Sequence, residues 1–345
     1  ARRPAVDRRA YIDEAAARRD LTPIIIEKDF WVCWTLRRLV MCPDLAGHMT
    51  FKGGTSLSKA YGIIARFSED IDLTISRAAP LLSEVASPMD SDITGKERER
   101  RTKALKAAAQ AYVATVAMPI LAREIEVALG TAEGWSLALD PDDKDQQTLL
   151  FVYPRTSGYG LAYGENYGGA DESGYIKPRI KLEFGARGDT EPFALRPILP
   201  YLAEDFPEEL PDPVTAVPTL AVARTFWEKV TILHAIHHNG KLREGMSRHY
   251  YDVLMLDQGG ITNEAMGRID LLEQVVHNKS LMFADRSASY DTAVVGTLRL
   301  SPDGATWEKL ERDYGAMSEM FMAAPPKFQV LMKGLAAIEA TINGR

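Results

Sequence analysis

The sequence is poor in several things. Only two cysteines occur in 345 residues, Cys33 and Cys42. No disulfide framework can therefore organise the fold, and a reducing, cytoplasmic setting is expected. No apolar run reaches the roughly 18 residues of a membrane span, and no signal-peptide pattern opens the chain, which begins with Ala, so no membrane partner is expected. Net positive charge is missing as well. The balance of 41 Lys and Arg against 48 Asp and Glu leaves −7. This excludes a surface coated for nonspecific nucleic-acid binding, but it leaves room for a local basic face. The most basic run, GKERERRTKALK over 95–106, alternates its charges and reads as a solvated helix face. There is no internal repeat and no low-complexity tract.

What is present is ordinary for a globular protein: 46% hydrophobic and 26% charged residues, in a chain long enough for two domains. A helix is expected over 7–20, and another begins at Pro23 behind an N-capping Thr22. Residues 48–52 read as a strand that Gly53 and Gly54 break. A helix over 56–64 and a strand over 70–75 follow. An Ala-rich helix covers 96–129, with Pro119 expected to kink or split it. Two strands flank the turn DPDDKD within 134–153, a Gly/Tyr-rich loop fills 155–175, and RIKLEF over 179–184 is a strand. A Pro-rich connector spans 192–218. Beyond it the pattern is mostly helical, at 219–238, 247–257, 262–277, 303–323 and 326–342. The expected class is α+β, with an N-terminal α/β domain over 1–192 and a mostly helical C-terminal domain over 193–345.

The chemistry concentrates in 51–75, FKGGTSLSKAYGIIARFSEDIDLTI. Asp70 and Asp72 stand two apart on the predicted strand, so period-2 geometry puts both carboxylates on one face and Ile71 and Leu73 on the other. Converging carboxylates repel unless a cation lies between them, and hard oxygen donors suit Mg²⁺. Two such ions about 4 Å apart stabilise both oxygens of a phosphoryl transfer. Glu183, on the strand IKLEF with Lys181 on its face, is the candidate third carboxylate. Gly53 and Gly54 permit a tight turn and close approach of a ligand, and Thr55 or Ser56 is placed to cap the helix that follows. The unpaired N–H groups of that helix suit a triphosphate, with Lys59 one turn further in. Taken singly, the DxD also reads as a solvated strand edge, and the glycine pair as a plain turn. Their coupling across one helix brings cradle and carboxylates to the same end of a sheet.

These residues resemble the nucleotidyltransferase superfamily of DNA polymerase β. The longer string KGGTSLSKAYGIIARFSEDIDL is similar to the nucleotidyl transferase AbiEii/AbiGii toxin family. EKDFWVCWTL, IKPRIKLEFGARGD, TLAVARTFWEKVTILHAIHH, SRHYYDVLML, HNKSLMFADRSASYD and LERDYGAM extend the likeness over nearly the whole chain. The resemblance implies a polymerase β-like core domain and Mg²⁺ held by Asp70 and Asp72. It places the nucleotide phosphates on Ser56 and the glycines, and assigns motif roles to Lys229 and Asp252. It further implies the toxin of a bacterial type IV toxin–antitoxin or abortive-infection system, which transfers NMP from an NTP to an acceptor hydroxyl. The expected acceptor is a tRNA end, and a cognate antitoxin is expected from an adjacent gene. Gly54 stands where many superfamily members have Ser, which shifts the phosphate-donor role to Thr55 or Ser56.

Without the family, Lys229 and Asp252 are ordinary residues of amphipathic helices. In the functional reading Lys229 neutralises phosphate charge, Asp252 orients it or accepts a proton, and Arg248 grips a phosphate bidentately. His234, His237 and His238 share a helix, but with no HExxH and no cysteine partner a zinc site is not expected. Other acceptors, a protein or a small molecule, fit the same chemistry. So does a non-catalytic nucleotide-binding role, although the retained carboxylates speak against it.

Overall fold

In a computed structural model the protein is described over residues 1–345 apart from 69, 157–176, 284 and 345, and apart from the side chain of 319. The Gly/Tyr-rich loop expected at 155–175 lies almost wholly outside the described residues.

Helices α1 (Ala5–Arg19), α2 (Pro23–Met41) and α3 (Pro43–Ala46) precede β1 (Met49–Lys52), α4 (Gly53–Lys59) and β2 (Asp70–Ile75). Then come α5 (Gly95–Tyr112), α6 (Met118–Leu129), β3 (Ser136–Leu139), β4 (Thr148–Val152) and β5 (Ile180–Gly185). After β6 (Phe193–Ile198), α7 (Tyr201–Asp205) and β7 (Thr215–Leu220), the chain turns helical. It continues as α8 (Val222–Asn239), α9 (Ser247–Gln258), α10 (Ile261–Met266), α11 (Ile269–Met282), α12 (Gly304–Ala316) and α13 (Phe328–Ile342). The architecture is mixed α+β, as expected.

Seven strands form one sheet in the order β3-β4-β5-β2-β1-β7-β6. The pairs β2/β5 and β1/β7 are parallel and the rest antiparallel. Here the sequence reading needs correction. The Pro-rich stretch is no connector: it holds β6 and β7, so the sheet extends to Leu220, past the boundary expected at 192. Pro197 is tolerated because β6 is an edge strand, where a missing N–H breaks no ladder.

One core packs the sheet against α2, α5 and α6. Its aromatic centre is Trp31, stacked on Tyr153 with centroids 5.3 Å apart and edge-on to Trp34 and Phe151. The aromatics of α2 are thus core. A second core lies among α8–α13 and takes in Leu57 and Ile64, which follow the glycine pair. The glycine segment is therefore clamped between both cores.

The long helix does split at the predicted place. A π-helical turn, Val113–Ala117, separates α5 from α6, and Pro119 sits in the first turn of α6. Proline cannot donate to the preceding turn, so the wider i→i+5 pattern absorbs the mismatch. Residues Gly95–Leu129 contain a window long and apolar enough to cross a membrane, although charged residues interrupt it. Its apolar face, including Leu105, Ala109, Leu121 and Ile125, packs into the first core. The basic run in α5 is solvated, with Glu97 bridging Arg100 and Arg101. Both cysteines are free and buried.

Candidate active site

The carboxylate site rests on strand register. Asp70 lies beside Lys181 and Asp72 beside Glu183 on the parallel neighbour β5, while Lys52 of β1 faces Asp72 from the other side. One row across the sheet therefore reads Lys52, Asp72, Glu183. Glu183 is where the third carboxylate was expected, but its Oε1 accepts from Lys181 Nζ at 2.6 Å. No three acid, histidine or cysteine side chains come close enough to hold a metal ion among the described residues.

The glycine pair is explained by what presses against it. Gly53 has φ +76°, and a Cβ there would stand 1.9 Å from Asp72 Oδ2. A Cβ on Gly54 would stand 2.6 Å from both Arg66 Nη2 and Ser68 Oγ. The first glycine makes room for the carboxylate and the second for a guanidinium. Both belong to the first turn of α4 rather than to a turn before it, and Lys52 is the residue at the N-cap. Thr55 and Ser56 consequently lie inside the helix and do not cap it. Their buried hydroxyls donate inward, Thr55 to the Asp70 carbonyl at 2.5 Å and Ser56 to the Gly53 carbonyl at 2.8 Å.

Lys59 also departs from expectation. Its ammonium is buried against Asp29 of α2 at 2.6 Å and lies over the Tyr201 ring. It ties α4 to α2 and does not reach the carboxylates. The helical spacing placed it correctly along α4 but said nothing about which face α2 covers.

Lys229 and Asp252 do come together. Lys229 Nζ donates to Asp252 Oδ2 at 2.8 Å and lies 3.4 Å from His249 Nδ1. Arg66 grips the same carboxylate with both arms, Nε to Oδ1 at 2.7 Å and Nη2 to Oδ2 at 2.8 Å. Sequence reasoning missed Arg66. It stands two residues before Ser68, and the carboxylate it pairs with comes from α9. Bonds between Phe67 N–H and Met320 O, and between Met322 N–H and Ala65 O, hold its loop. Arg248 is exposed on α9.

The electrostatics follow from burial. Desolvation and then the Glu183 charge push Asp72 up to about 6, against the pull of Lys52, Arg248 and Lys229. Burial alone would also raise Asp252, but Arg66 and Lys229 outweigh it and hold that carboxyl well below its usual range. Asp252 thus stays ionised and orients its cations; it is a poor proton acceptor. Burial lowers Lys229, with Arg66 and Arg248 adding to the effect. Burial and the Lys229 charge keep His249 neutral. Lys279 of α11, whose Nζ donates to Glu228 O and Thr231 Oγ1, is driven down to about 7, chiefly by burial.

The carboxylate row opens into a cavity of about 460 Å³. Its far wall is the turn after β3, which contributes Asp140, Asp142, Asp143 and Asp145. Of the histidines of α8, His234 is held on both sides. His234 Nε2 lies 3.0 Å from the Ser289 carbonyl, and its Nδ1 accepts from Arg299 N–H, leaving neither nitrogen for a metal.

The profile of the nucleotidyl transferase AbiEii toxin family, a type IV toxin–antitoxin system, matches residues 34–337. The chain belongs to that family. It is a nucleotidyltransferase of toxin type, and the matched span takes in most of both cores, the glycine pair, the carboxylate row and the Lys229–Asp252 pair. No curated protein matches the chain in sequence. Among solved structures it is similar to MenT4, a nucleotidyltransferase toxin from Mycobacterium tuberculosis H37Rv. That match is 15% identical, covers 96% of this chain and 98% of that one, and has a TM-score of 0.41.

Proposed function

We propose that this AbiEii-family toxin transfers NMP from an NTP to the terminal hydroxyl of an RNA acceptor, with a tRNA end as the expected one, in a Mg²⁺-dependent reaction. The supporting observation is the in-register row Lys52, Asp72, Glu183, with Lys229, bonded to Asp252, close enough for its charge to act on Asp72. The donor set suits a divalent cation. Asp72 is a desolvated carboxylate beside a second one, held in a gap that a Cβ on residue 53 would fill. Asp70, Asp72 and Glu183 would hold the ion, Glu183 after giving up its contact with Lys181. Mg²⁺ there supplies charge neutralisation at the reacting phosphorus and its oxygens.

The protein's own groups do the rest. The backbone of Gly53–Ser56 lies against the triphosphate, its hydroxyls being engaged internally. Lys229, pinned by Asp252, faces developing phosphate charge from the helical side, and Arg248 reaches the same region from the surface. Lys181 is freed for the nucleotide when Glu183 turns to the ion. The aspartate wall repels a polyanion, so the acceptor enters from the Lys52 side. A cognate antitoxin covering this cleft is the implied partner.

The test is incubation of wild type and Asp72→Asn with each labelled NTP, Mg²⁺ and separate RNA, protein and metabolite fractions. Label should enter RNA with wild type and be lost with the variant. Label confined to the protein or metabolite fraction would transfer the proposal to that acceptor. Full transfer by Asp72→Asn would end it.

A further inference from the structure

A second cavity, of about 390 Å³, lies beyond the end of β2. It is bounded by Ser76 and Arg77, by the loop around Gly188 and Asp189, and by Arg224 of α8 and Gln274 of α11. It continues the catalytic face. Thr74 shares that face with Asp72 and lies about 7 Å further along the strand. Gly188 lines this cavity, and a Cβ on it would stand 3.4 Å from Lys52 Nζ and 3.5 Å from Thr74 Oγ1.

Two lining residues carry a buried atom with no hydrogen-bond partner among the described residues, Arg77 Nη2 and Arg224 Nε, and Thr74 Oγ1, next to the lining residue Gly188, is a third such atom. Arg224 is only 1% exposed. Its Nη2 donates to Asp189 at 2.5 Å and its Nη1 to Gln274 Oε1 at 3.2 Å, while Nε lies 3.7 Å from Glu228 without bonding it. Arg77 has no ion pair among the described residues. Buried donors are ordinarily satisfied, so three around one space ask for a ligand rich in acceptor oxygens. Of the acids on the lining, Asp189 is committed to Arg224 and Glu191 is exposed on the rim.

We propose that Arg77, Arg224 and Thr74 form a phosphate-binding subsite that holds a backbone phosphate of the acceptor chain near its reactive end. This rests on the RNA-acceptor reading above. Guanidinium groups match the planar oxygen pairs of a phosphodiester, and the subsite lies on the Lys52 side, away from the aspartate wall. The triphosphate tail of the nucleotide offers the same chemistry, and the experiment separates the two sources.

The full chain carrying Arg77→Gln is compared with wild type for binding of a labelled RNA oligonucleotide with a free 3′ hydroxyl, across a salt series, and for NTP binding. Arg77 is partly exposed, so the variant is expected to fold. RNA binding should weaken about tenfold and the log–log salt slope should fall by about one. NTP affinity should be unchanged, and Arg77→Lys should recover most of the loss. Weakened NTP binding with unchanged RNA binding assigns the phosphate to the nucleotide and overturns the acceptor assignment. Unchanged binding of both, or no RNA binding by wild type, overturns the subsite. Failure of the catalytic reading shows separately, as label transfer that survives Asp72→Asn.

Discussion

Gly53→Ala separates two costs that a catalytic glycine usually confounds. The residue sits at φ +76°, where an L side chain costs about 1–2 kcal/mol in backbone strain. For a chain of 345 residues that corresponds to a fall in Tm of about 1–3 °C. The added Cβ also meets Asp72 Oδ2 at 1.9 Å and Cγ at 2.6 Å, so the carboxylate must move by more than an ångström. A displacement of that size at a reacting centre costs about 100-fold in turnover. Gly62→Ala is the control: its φ is +63° and nothing lies within 4 Å of the added Cβ. Gly62→Ala should lose only the strain cost by thermal melt and Gly53→Ala at least that, but only Gly53→Ala should lose transferase activity, at saturating NTP. Wild-type turnover in Gly53→Ala would refute the view that this glycine exists to admit Asp72. Equal activity loss in both variants would show strain alone to be responsible.

Further expectations follow from the charges. Asp72 titrates at about 6 in the folded chain and near 3.8 when unfolded. The folded state therefore binds the extra proton, and this contribution to stability is present at low pH and lost as pH rises through 6. Without divalent ions Asp72→Asn should thus raise Tm most at pH 7.5 and progressively less as pH falls from 6 towards 3.8; a gain that grows as pH falls would refute the assignment. Removing Arg66 leaves Asp252 with one cation, and Arg66→Met should cost about 3–5 kcal/mol in chemical denaturation; a cost under about 1 kcal/mol would show the bidentate pair to be dispensable. Lys59→Met should likewise lower stability, through stranded Asp29, while folded protein keeps its KM for NTP. A raised KM with unchanged stability would return Lys59 to the phosphate.

Much of the site was legible because its signals are local. Asp70 and Asp72 share a strand face by a period of two, and Glu183 and Lys181 share theirs for the same reason. Family resemblance brought in Lys229 and Asp252, which periodicity alone leaves as ordinary helix residues. What stayed hidden was pairing at a distance. The Asp72–Glu183 register is set by a parallel pairing between strands far apart in the chain, Arg66 meets its partner on a helix of the other half, and Lys59 is covered by α2. Composition misled at β6 and β7, where prolines suggested a connector, although Pro197 lies on the edge strand β6.

The join between β7 and α8 carries a consequence for control. Only Ala221 separates the last sheet strand from the helix bearing Lys229, and its N–H is bonded to the Pro192 carbonyl. The lysine is in effect riveted to the platform that carries the carboxylates, with no swivel between them. Silencing by pulling the two halves apart would mean breaking the sheet itself. An inhibitor of this toxin has to work as a plug, filling or capping the mouth of a cleft whose walls are already fixed.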